Sequence, residues 1–546
     1  MTFTRRRFVQ TAGALALCSL PPRASSDPSP AAATPGPADW CGTGGSPSPL
    51  FIPGDRGFLG RLAPEAEKLT LRAAPLPGGG TGSLTLGYLA SHGGRDYVNP
   101  TLVLRPGQRV RIDFDNALDA ATIVHWHGLA VDTGNDGAGL TLAAPGGRYS
   151  YDFEVRNRGA LYWYHPHPHG MTAGQAYRGL FGAIEITDDD EAKLRAALDL
   201  VPGKSEIALL LQDRRGAAYA PSPTDQTHGF LGDTVYVNGS ACPYLDVATR
   251  LYRFRVLNAS NARTYRLAWR TAAGSPLPFT LIGNDGGLLP APQACSAAFL
   301  ATAERLDLLL DLRDLPVGET VLLDTTTFDP MHMEMGDMTP GATDHEAMDH
   351  SMMDHSAMGA TDHAAMHHGG SFAEGAERTL LQLRVREKRG YTAKVPAQLS
   401  TPAPIVMAGA TQRPFRLGFA KGRWRINDRV FEMGETPIEV KRNTVESWLI
   451  RNYFNSMPHA MHLHGFAFEV LARETSPDQL AALKIDDHGR LATDLGRKDT
   501  VLVWPGESVR LGIDFSCPFE GPQTYVFHCH NLEHEDGGMM LGVKVT

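Results

Sequence analysis

Two stretches that lie far apart in this sequence carry the same pair of motifs. Residues 125–131 read His-Trp-His-Gly-Leu-Ala-Val, and residues 462–468 read His-Leu-His-Gly-Phe-Ala-Phe. Residues 162–167 (Tyr-Trp-Tyr-His-Pro-His) correspond in the same way to residues 525–530 (Tyr-Val-Phe-His-Cys-His). Such a duplication predicts that the chain folds as repeated units with histidines at equivalent places.

Alternation of apolar and polar residues indicates strands in each of three related units. A length of 546 residues is also too great for one hydrophobic core. Gly and Pro interrupt the strand patterns about every ten residues, which is typical of antiparallel sandwiches. We therefore predict an all-β chain of three β-sandwich domains. The recurring strands are 102–116, 252–258 and 445–452, and then 147–153, 304–312 and 507–515.

The predicted domains follow from these repeats. A leader covers 1–49, and the domains cover 50–195, 196–390 and 391–546. The middle unit keeps the strands but lacks the His-x-His pairs. Whatever the histidines bind is therefore expected between the first and last domains, with the middle one as a spacer.

Charge and hydropathy exclude several classes of partner. Lys and Arg number 51 against 60 Asp and Glu, a net charge of −9, which argues against nucleic acid or an anionic membrane as the main partner. No run of 18 apolar residues occurs, so no membrane-spanning helix is expected.

Six cysteines are too few for a disulfide scaffold. Cys242 with Cys295, and Cys41 with Cys517, remain candidate pairs, which spacing alone does not decide.

The N-terminus resembles a twin-arginine export signal. Residues 4–10 read Thr-Arg-Arg-Arg-Phe-Val-Gln and precede a short apolar stretch. A basic tail without a signal is the alternative. The resemblance implies export of the folded protein, so we expect a periplasmic location.

The four His-x-His pairs indicate metal binding. On a strand, residues i and i+2 share a face and lie about 6.5–7 Å apart, so one pair can serve two neighbouring ions. A single pair could equally be a cross-strand polar pair or part of a zinc site. Four pairs in matched repeats are hard to explain by structure alone. They are His125/His127, His165/His167, His462/His464 and His528/His530.

A cysteine inside the last pair links two predicted sites. Strand alternation points Cys529 away from its flanking histidines. His459, His534 and Met539 complete a His₂Cys set with an axial Met, the ligand set of blue copper. Zinc could also use two His and one Cys, but zinc is redox-inert, so it could not pass electrons between the two sites that Cys529 links.

These motifs together resemble those of the three-domain multicopper oxidases. The resemblance covers about residues 80–546, and it implies cupredoxin-like domains and four copper ions. It implies a type 1 copper held by His459, Cys529, His534 and Met539, and a type 2 copper held by His125 and His462. It assigns the type 3 pair to His127, His165, His167, His464, His528 and His530.

The same resemblance gives two acids a role in proton delivery. Asp136 follows His127 in a loop, and Glu535 directly follows His534. Solvated surface acids are the alternative. Together with Cys529, which is expected to carry electrons, Asp136 and Glu535 form the predicted set of catalytic residues.

Residues 331–370 form a Met/His-rich segment with nine of the 17 methionines and seven of the 21 histidines. An Asp-His-x-x-Met unit occurs four times there, and its first three copies repeat every five residues, which matches neither helix nor strand. Thioethers prefer Cu(I), so copper recruitment explains the composition better than a polar loop does. The candidate ligands are Met457 outside the segment, and Met331, Met333, Met335, Met338, His345, Met348, His350, Met352, Met353, His355, Met358, His363 and Met366 within it.

This segment narrows the resemblance to periplasmic copper-efflux oxidases. The expected reaction is oxidation of Cu(I) coupled to reduction of O₂ to water, by a monomer. A laccase acting on phenols or other small organic reductants is the nearest alternative. A copper buffer without turnover, and a structural protein that has lost copper, belong to other classes.

Four further histidines match no motif. His169 is expected to support a ligand or to lie at the surface, and His92, His228 and His488 are expected to be exposed.

Overall fold

The computed structural model describes residues 41, 46–64, 68–77, 81–333 and 372–546. The predicted export signal at 4–10 lies outside these ranges. So do the candidate ligands Met335, Met338, His345, Met348, His350, Met352, Met353, His355, Met358, His363 and Met366.

The first sandwich packs a six-stranded sheet (β10-β8-β4-β5-β6-β2) on a five-stranded one (β3-β7-β12-β11-β9). Its core is a single apolar cluster that includes Trp126 and Tyr164. Strands β1 to β12 occupy Ser48–Pro49, Gly57–Phe58, Arg61–Leu62, Leu69–Pro75, Leu86–His92, Arg95–Val98, Thr101–Leu104, Arg109–Asn116, Val124–His127, Arg148–Glu154, Ala160–Pro166 and Gly182–Ile186.

The predicted strand 102–116 is two strands in different sheets. The alternation continues in β8, whose residues are buried at every second position. However, Pro106 cannot donate to a ladder, and Gly107 adopts φ +79°. The chain therefore turns between β7 and β8, and the expectation of one continuous strand is wrong.

The middle sandwich packs two seven-stranded sheets, one of which begins with β1. The Met/His-rich segment joins β24 to β25, which pair antiparallel with Leu323 opposite Leu381. Strands β13 to β25 occupy Glu206–Arg214, Thr234–Val237, Ser240–Ala241, Pro243–Ala248, Leu251–Asn258, Tyr265–Thr271, Pro276–Leu277, Phe279–Asn284, Gly287–Cys295, Ala297–Leu300, Arg305–Asp311, Thr320–Thr325 and Arg378–Glu387.

The last sandwich packs two five-stranded sheets, β27-β26-β29-β33-β31 and β28-β35-β34-β30-β32. The predicted all-β fold of three sandwiches is thus confirmed, while the exact domain boundaries stay a prediction. Strands β26 to β35 occupy Thr411–Ala420, Arg423–Ile426, Ile438–Val440, Val445–Asn452, His459–Leu463, Phe468–Glu474, Thr500–Val503, Ser508–Asp514, Gln523–Cys529 and Met540–Val545.

Helices are few and short within the described ranges, and none of them has the length and apolar character that crossing a bilayer requires. Asp536 accepts hydrogen bonds from the first two backbone N–H groups of α2 (2.8 and 2.9 Å) and so ties the first sandwich to the last. Helices α1 to α5 occupy Thr133–Asp136, Thr172–Tyr177, Asp189–Ala197, Pro223–His228 and Leu532–Asp536, and 3₁₀ turns occupy Thr81–Ser83, Asp478–Leu483 and Ala492–Asp494.

The cysteines do not form the candidate pairs. Each described cysteine is a free thiol, and Cys41 lies beside Cys242. Burial, together with the Cys41 thiol, raises the pKa of Cys242 to about 12. Strand β1 pairs with β16 of the middle sandwich, and this pairing brings the end of the leader close to Cys242.

Candidate metal centre

Neighbouring strands of the first sandwich bring its two His-x-His pairs together. His125 lies directly opposite His165 in the register of β9 and β11, and His127 lies opposite Trp163. His167 follows the end of β11, with its ring centroid 6.0 Å from that of His165. All four histidines are buried.

The last sandwich repeats this arrangement. His462 on β30 lies opposite His528 on β34. His464 and His530 each follow the end of one of these strands by one residue. These four side chains are also buried.

Rings from the two sandwiches meet at their interface. His125 stacks on His464 with ring centroids 3.8 Å apart. His127 stacks on His462 at 3.7 Å. The eight histidines thus form one cluster between the first and last sandwiches, where the sequence repeats predicted it.

Pairs of ring nitrogens in this cluster face each other. Nε2 of His464 lies 3.0 Å from Nε2 of His528, and Nε2 of His165 lies 3.3 Å from Nε2 of His530. Two nitrogens bound tetrahedrally to one ion at about 2.0 Å would lie about 3.3 Å apart. Among the described residues, the ligand atoms of this cluster that lie within 4.8 Å of one another form the groups His125/His127/His165, His125/His462/His464, His167/His464/His528 and His127/His462/Asp499.

Several buried nitrogens have no hydrogen-bond partner among the described residues. They include Nε2 of His125, Nδ1 of His127 and Nε2 of His462. The other nitrogen of each ring is held: Nδ1 of His125 by the carbonyl of Asp136 at 2.7 Å, and Nδ1 of His462 by the carbonyl of Asp499 at 2.8 Å. Buried polar atoms are rarely left unpaired, so these orphans fit a bound cation.

Burial also prepares the histidines for metal. It is the main cause that lowers the pKa of every predicted histidine ligand, and positive charge on neighbouring histidines adds to the effect at most of them. The pKa of His462 falls to about 4, and that of His167 to about 3. The rings are therefore neutral near pH 7, the form that binds a metal ion.

Asp136 lies inside the cluster. Its Oδ2 is 2.9 Å from Nδ1 of His464, and its side chain is fully buried. Burial raises the pKa of this carboxyl well above its usual range, and the charge of Asp132 adds to the effect. The interpretation of Asp136 as a solvated surface acid is therefore wrong.

Glu535 is placed in a similar way. Its oxygens lie 3.5 Å from Nε2 of His167 and 3.4 Å from Nδ1 of His528. Burial and then the charge of Asp536 raise its pKa well above the usual range. Glu535 is therefore a buried acid whose surroundings favour its protonated form.

A third acid, Asp499, was missed by the sequence analysis. Its Oδ1 lies 3.1 Å from Nε2 of His127, and it is buried beside His462. Although burial works to raise the pKa of Asp499, the Arg305 guanidinium outweighs it and lowers that pKa. No motif spacing relates residue 499 to the first histidine pair, so nothing in the pattern singled it out.

The predicted type 1 ligands form a second, smaller site. Sγ of Cys529 lies 3.6 Å from Nδ1 of His459 and 3.6 Å from Nδ1 of His534. Met539 is fully buried and shares the apolar core of this sandwich with Cys529 and Met457. Thiolate, imidazole and thioether are the donors that copper prefers, so these residues fit the metal.

Strand alternation connects the two sites through Cys529. His528 and His530 turn toward the eight-histidine cluster, whereas Cys529 turns toward His459 and His534. Burial raises the pKa of the Cys529 thiol to about 12. Copper must therefore displace a proton when it binds.

The outer edge of the smaller site is covered by residues that sequence reasoning did not find. The carbonyl of Thr227, in α4 of the middle sandwich, accepts hydrogen bonds from Nε2 of His534 (2.9 Å) and from Nε1 of Trp424 (2.6 Å). The Trp424 ring lies 4.6 Å from the ring of His459. The middle sandwich is therefore more than a spacer, and that expectation is wrong.

The four histidines that match no motif differ in their exposure to solvent. His488 is exposed as expected, and His92 is half-buried. His228 is buried, because α4 packs against the last sandwich, so its predicted exposure is wrong. His169 is exposed, with its ring 5.1 Å from that of Phe431, and it belongs to none of the ligand groups of the described residues.

Acid should destabilise the copper-free protein. Histidines of the unfolded chain take up protons below about pH 6.5, whereas the buried rings stay neutral down to about pH 4. The unfolded state then binds more protons, and the free energy of unfolding falls as the pH falls, by up to about 1.4 kcal/mol per histidine and pH unit. Urea unfolding of the chelator-treated protein is expected to show a lower midpoint at pH 5 than at pH 7. An unchanged midpoint would contradict neutral burial of the rings.

Family comparisons agree with this geometry. Two family models, both described as multicopper oxidase, match residues 93–191 and 398–546. A laccase of Bacillus subtilis is 30% identical over 470 residues, which cover 78% of this chain and 80% of the relative. The multicopper oxidase mco of Staphylococcus aureus is 28% identical over 472 residues, which cover 86% of this chain and 85% of the relative.

A solved structure is also similar over nearly the whole chain. The McoA multicopper oxidase from the hyperthermophile Aquifex aeolicus superposes with a TM-score of 0.76 at 33% identity. The match covers 92% of this chain and all of that one.

Proposed function

The chain belongs to the multicopper oxidases and is an oxidoreductase that uses O₂, and we propose that its physiological reductant is the cuprous ion. Each Cu(I) is oxidised to Cu(II) and gives up one electron. Four such electrons and four protons convert one O₂ into two water molecules. The product is the less toxic Cu(II), so the activity serves copper tolerance.

The observation that carries this proposal is the anchor of the Met/His-rich segment. The backbone N–H of Met333 donates to the carbonyl of Ser456 at 2.9 Å. The hydroxyl of Ser456 in turn lies 3.2 Å from Nε2 of His459, a predicted type 1 ligand. The segment thus leaves the described fold two hydrogen bonds from the residue that receives electrons.

The other end of the segment is fixed nearby. His332 lies 3.2 Å from the carboxylate of Glu374. Arg263 donates to the carbonyl of Phe372 at 2.9 Å. Because Met333 and Phe372, which flank the segment, are both held, we expect the segment to raise the effective concentration of Cu(I) at the type 1 site.

The cover over His459 and His534 favours a small reductant. Both rings are buried, and Trp424 and the Thr227 carbonyl occupy their outer edges. A phenol cannot contact either imidazole without displacing this cover. We expect a small donor to pass electrons to His534 through the hydrogen bond between its Nε2 and the Thr227 carbonyl.

The resident cofactor is copper, and we propose four ions in the sites that the family motifs assign. His459, Cys529, His534 and Met539 would hold one ion, and the eight-histidine cluster would hold three. When bound, copper supplies the one-electron chemistry and the reduction of O₂. The protein itself supplies neutral imidazoles, a covalent path through Cys529, and buried acids at Asp136 and Glu535.

We also propose that the protein works in the periplasm as a monomer. The twin-arginine pattern at 4–10 supports export, and the Cu(I) that reaches that compartment would be its substrate. Cell fractionation and sedimentation of the purified chain test the two statements.

Removing the soft ligands of the segment tests the choice of reductant. In one variant, every Met and His from 335 to 368 becomes Ser, so that the length and the anchor at 331–333 are kept. Cu(I) oxidation at low free copper is expected to fall about tenfold, because effective concentration is lost. Oxidation of a bulky phenol is expected to hold or rise, and copper content should stay at the wild-type value.

A matched control changes only the acids of the same stretch to Asn or Gln. This variant keeps the thioethers and imidazoles and is expected to lose less Cu(I) activity than the Ser variant. If the Ser variant oxidises Cu(I) at the wild-type rate, the segment does not recruit copper and the cuprous assignment fails. If phenol and Cu(I) rates fall together, the segment supports the fold instead.

A further inference from the structure

Asp499 holds one predicted ligand from each of two sandwiches. Its main-chain carbonyl accepts from Nδ1 of His462 at 2.8 Å, and its Oδ1 lies 3.1 Å from Nε2 of His127. The Thr500 hydroxyl donates to the same Oδ1 at 2.9 Å. Each ring is thereby left with one nitrogen that has no partner among the described residues, Nε2 in His462 and Nδ1 in His127.

Asp136 does the same on the opposite side of the cluster. Its carbonyl accepts from Nδ1 of His125 at 2.7 Å, and its Oδ2 lies 2.9 Å from Nδ1 of His464. Each aspartate therefore orients one ligand of its own sandwich with the carbonyl and one of the other sandwich with the carboxylate. The duplicated units meet in such a way that the two aspartates occupy equivalent positions.

Of these two aspartates, only Asp499 has an Arg or Lys within ion-pair distance among the described residues. Arg305, on β23 of the middle sandwich, contacts both of its carboxylate oxygens, with Nη1 2.8 Å from Oδ1. A bidentate guanidinium fixes the plane of a carboxylate as well as its charge. Arg305 therefore determines where the Oδ1 beside His127 points.

Arg305 is itself held rigidly. Its remaining N–H groups donate to the carbonyls of Leu161 (3.0 Å), Ala303 (2.9 Å) and Asp285 (3.0 Å). All five guanidinium donors are thus used, in a side chain that is only 1% exposed. The acceptors belong to all three sandwiches, so this one side chain connects the three units through its hydrogen bonds and its ion pair.

We propose that Arg305 is a positioning residue of the O₂-reducing centre, which acts through Asp499 to fix the rings of His127 and His462. This role gives the middle sandwich a direct part in building a site between the other two. The positioning role of Arg305 is the same for any reductant, so it does not depend on the proposal that the reductant is Cu(I).

The test is copper retention by Arg305→Met. Loss of an outer partner typically weakens metal binding by about 10- to 100-fold. We expect this variant to lose copper to a competing chelator at concentrations that leave wild type loaded. The EPR signal of the type 2 ion should fall first, because only His125 and His462 are predicted to hold it. The KM for O₂ should rise more than kcat falls.

Arg253→Met is the matched control. Arg253 lies on β17 of the same sheet, is equally buried and pairs with Glu191 and Asp307, away from the histidines. Its loss should lower Tm without changing copper retention. Equal copper retention in the two variants overturns the proposal.

Arg305→Lys keeps the charge and most of the volume, and so it keeps the proposal testable if the Met variant does not fold. An ammonium cannot span both oxygens of Asp499 while donating to three carbonyls. This variant should show a partial loss of the type 2 signal at nearly wild-type Tm. A full signal and a wild-type KM for O₂ would show that Arg305 only supports the fold.

Discussion

Replacing Cys529 with serine is expected to abolish the blue colour and to lower the oxidase activity by at least about 10³-fold. The intense absorption requires a copper–thiolate bond, and a serine hydroxyl is neither soft nor readily deprotonated. Cys529 is also the covalent link between His528 and His530 on one side and the His459/His534 site on the other. The same substitution therefore removes a ligand and the electron path.

Cys517→Ser is the matched control for this experiment. Cys517 is buried in the same apolar core of the last sandwich but belongs to none of the ligand groups of the described residues. It should retain colour and activity with at most a small loss of Tm. Visible spectra, copper content and O₂ consumption of the two variants provide the comparison. A blue and active Cys529→Ser protein would contradict the assignment of the type 1 site.

That these histidines share a face could be predicted from sequence, because each His-x-His motif is local. The ion that each residue holds stays a prediction. A His-x-His pair on a strand presents both rings to one face, so spacing alone gives the direction of the side chains. The repeats then place the faces of the first and last sandwiches opposite each other. The stacking of His125 on His464 and of His127 on His462 is the direct result.

The supporting residues could not be predicted in that way. Asp499, Arg305 and Thr227 reach the centre only because separate sandwiches dock. Their contacts join residues far apart in the chain and follow no period. The same cause explains the failed expectation about His228 and the proximity of Cys41 to Cys242, which spacing left open, since docking decided burial in one case and proximity in the other.

Glu535→Gln and Asp136→Asn are each expected to slow O₂ reduction by about 10²-fold or more while copper stays bound. Reduction of O₂ to water consumes protons, and a positioned acid typically contributes 10² to 10⁴ in rate. Both carboxyls are buried against predicted ligands, and burial raises the pKa of each well above its usual range. Their surroundings therefore favour the protonated form of each acid, at the place where the oxidase reaction would consume protons.

Glu507→Gln separates this role from the general cost of changing a buried acid. Glu507 belongs to the same sandwich, is fully buried and has a pKa that burial raises, but it contacts Arg473 at 3.0 Å and no histidine of the cluster. This control should lower Tm and leave turnover per copper unchanged. In Glu535→Gln, by contrast, O₂ consumption should fall at full copper content, with a changed pH profile and a larger solvent isotope effect. Gln keeps the size of Glu535 but lacks its ionisable carboxyl group. A normal turnover at every pH would therefore mean that protons reach the centre by another route.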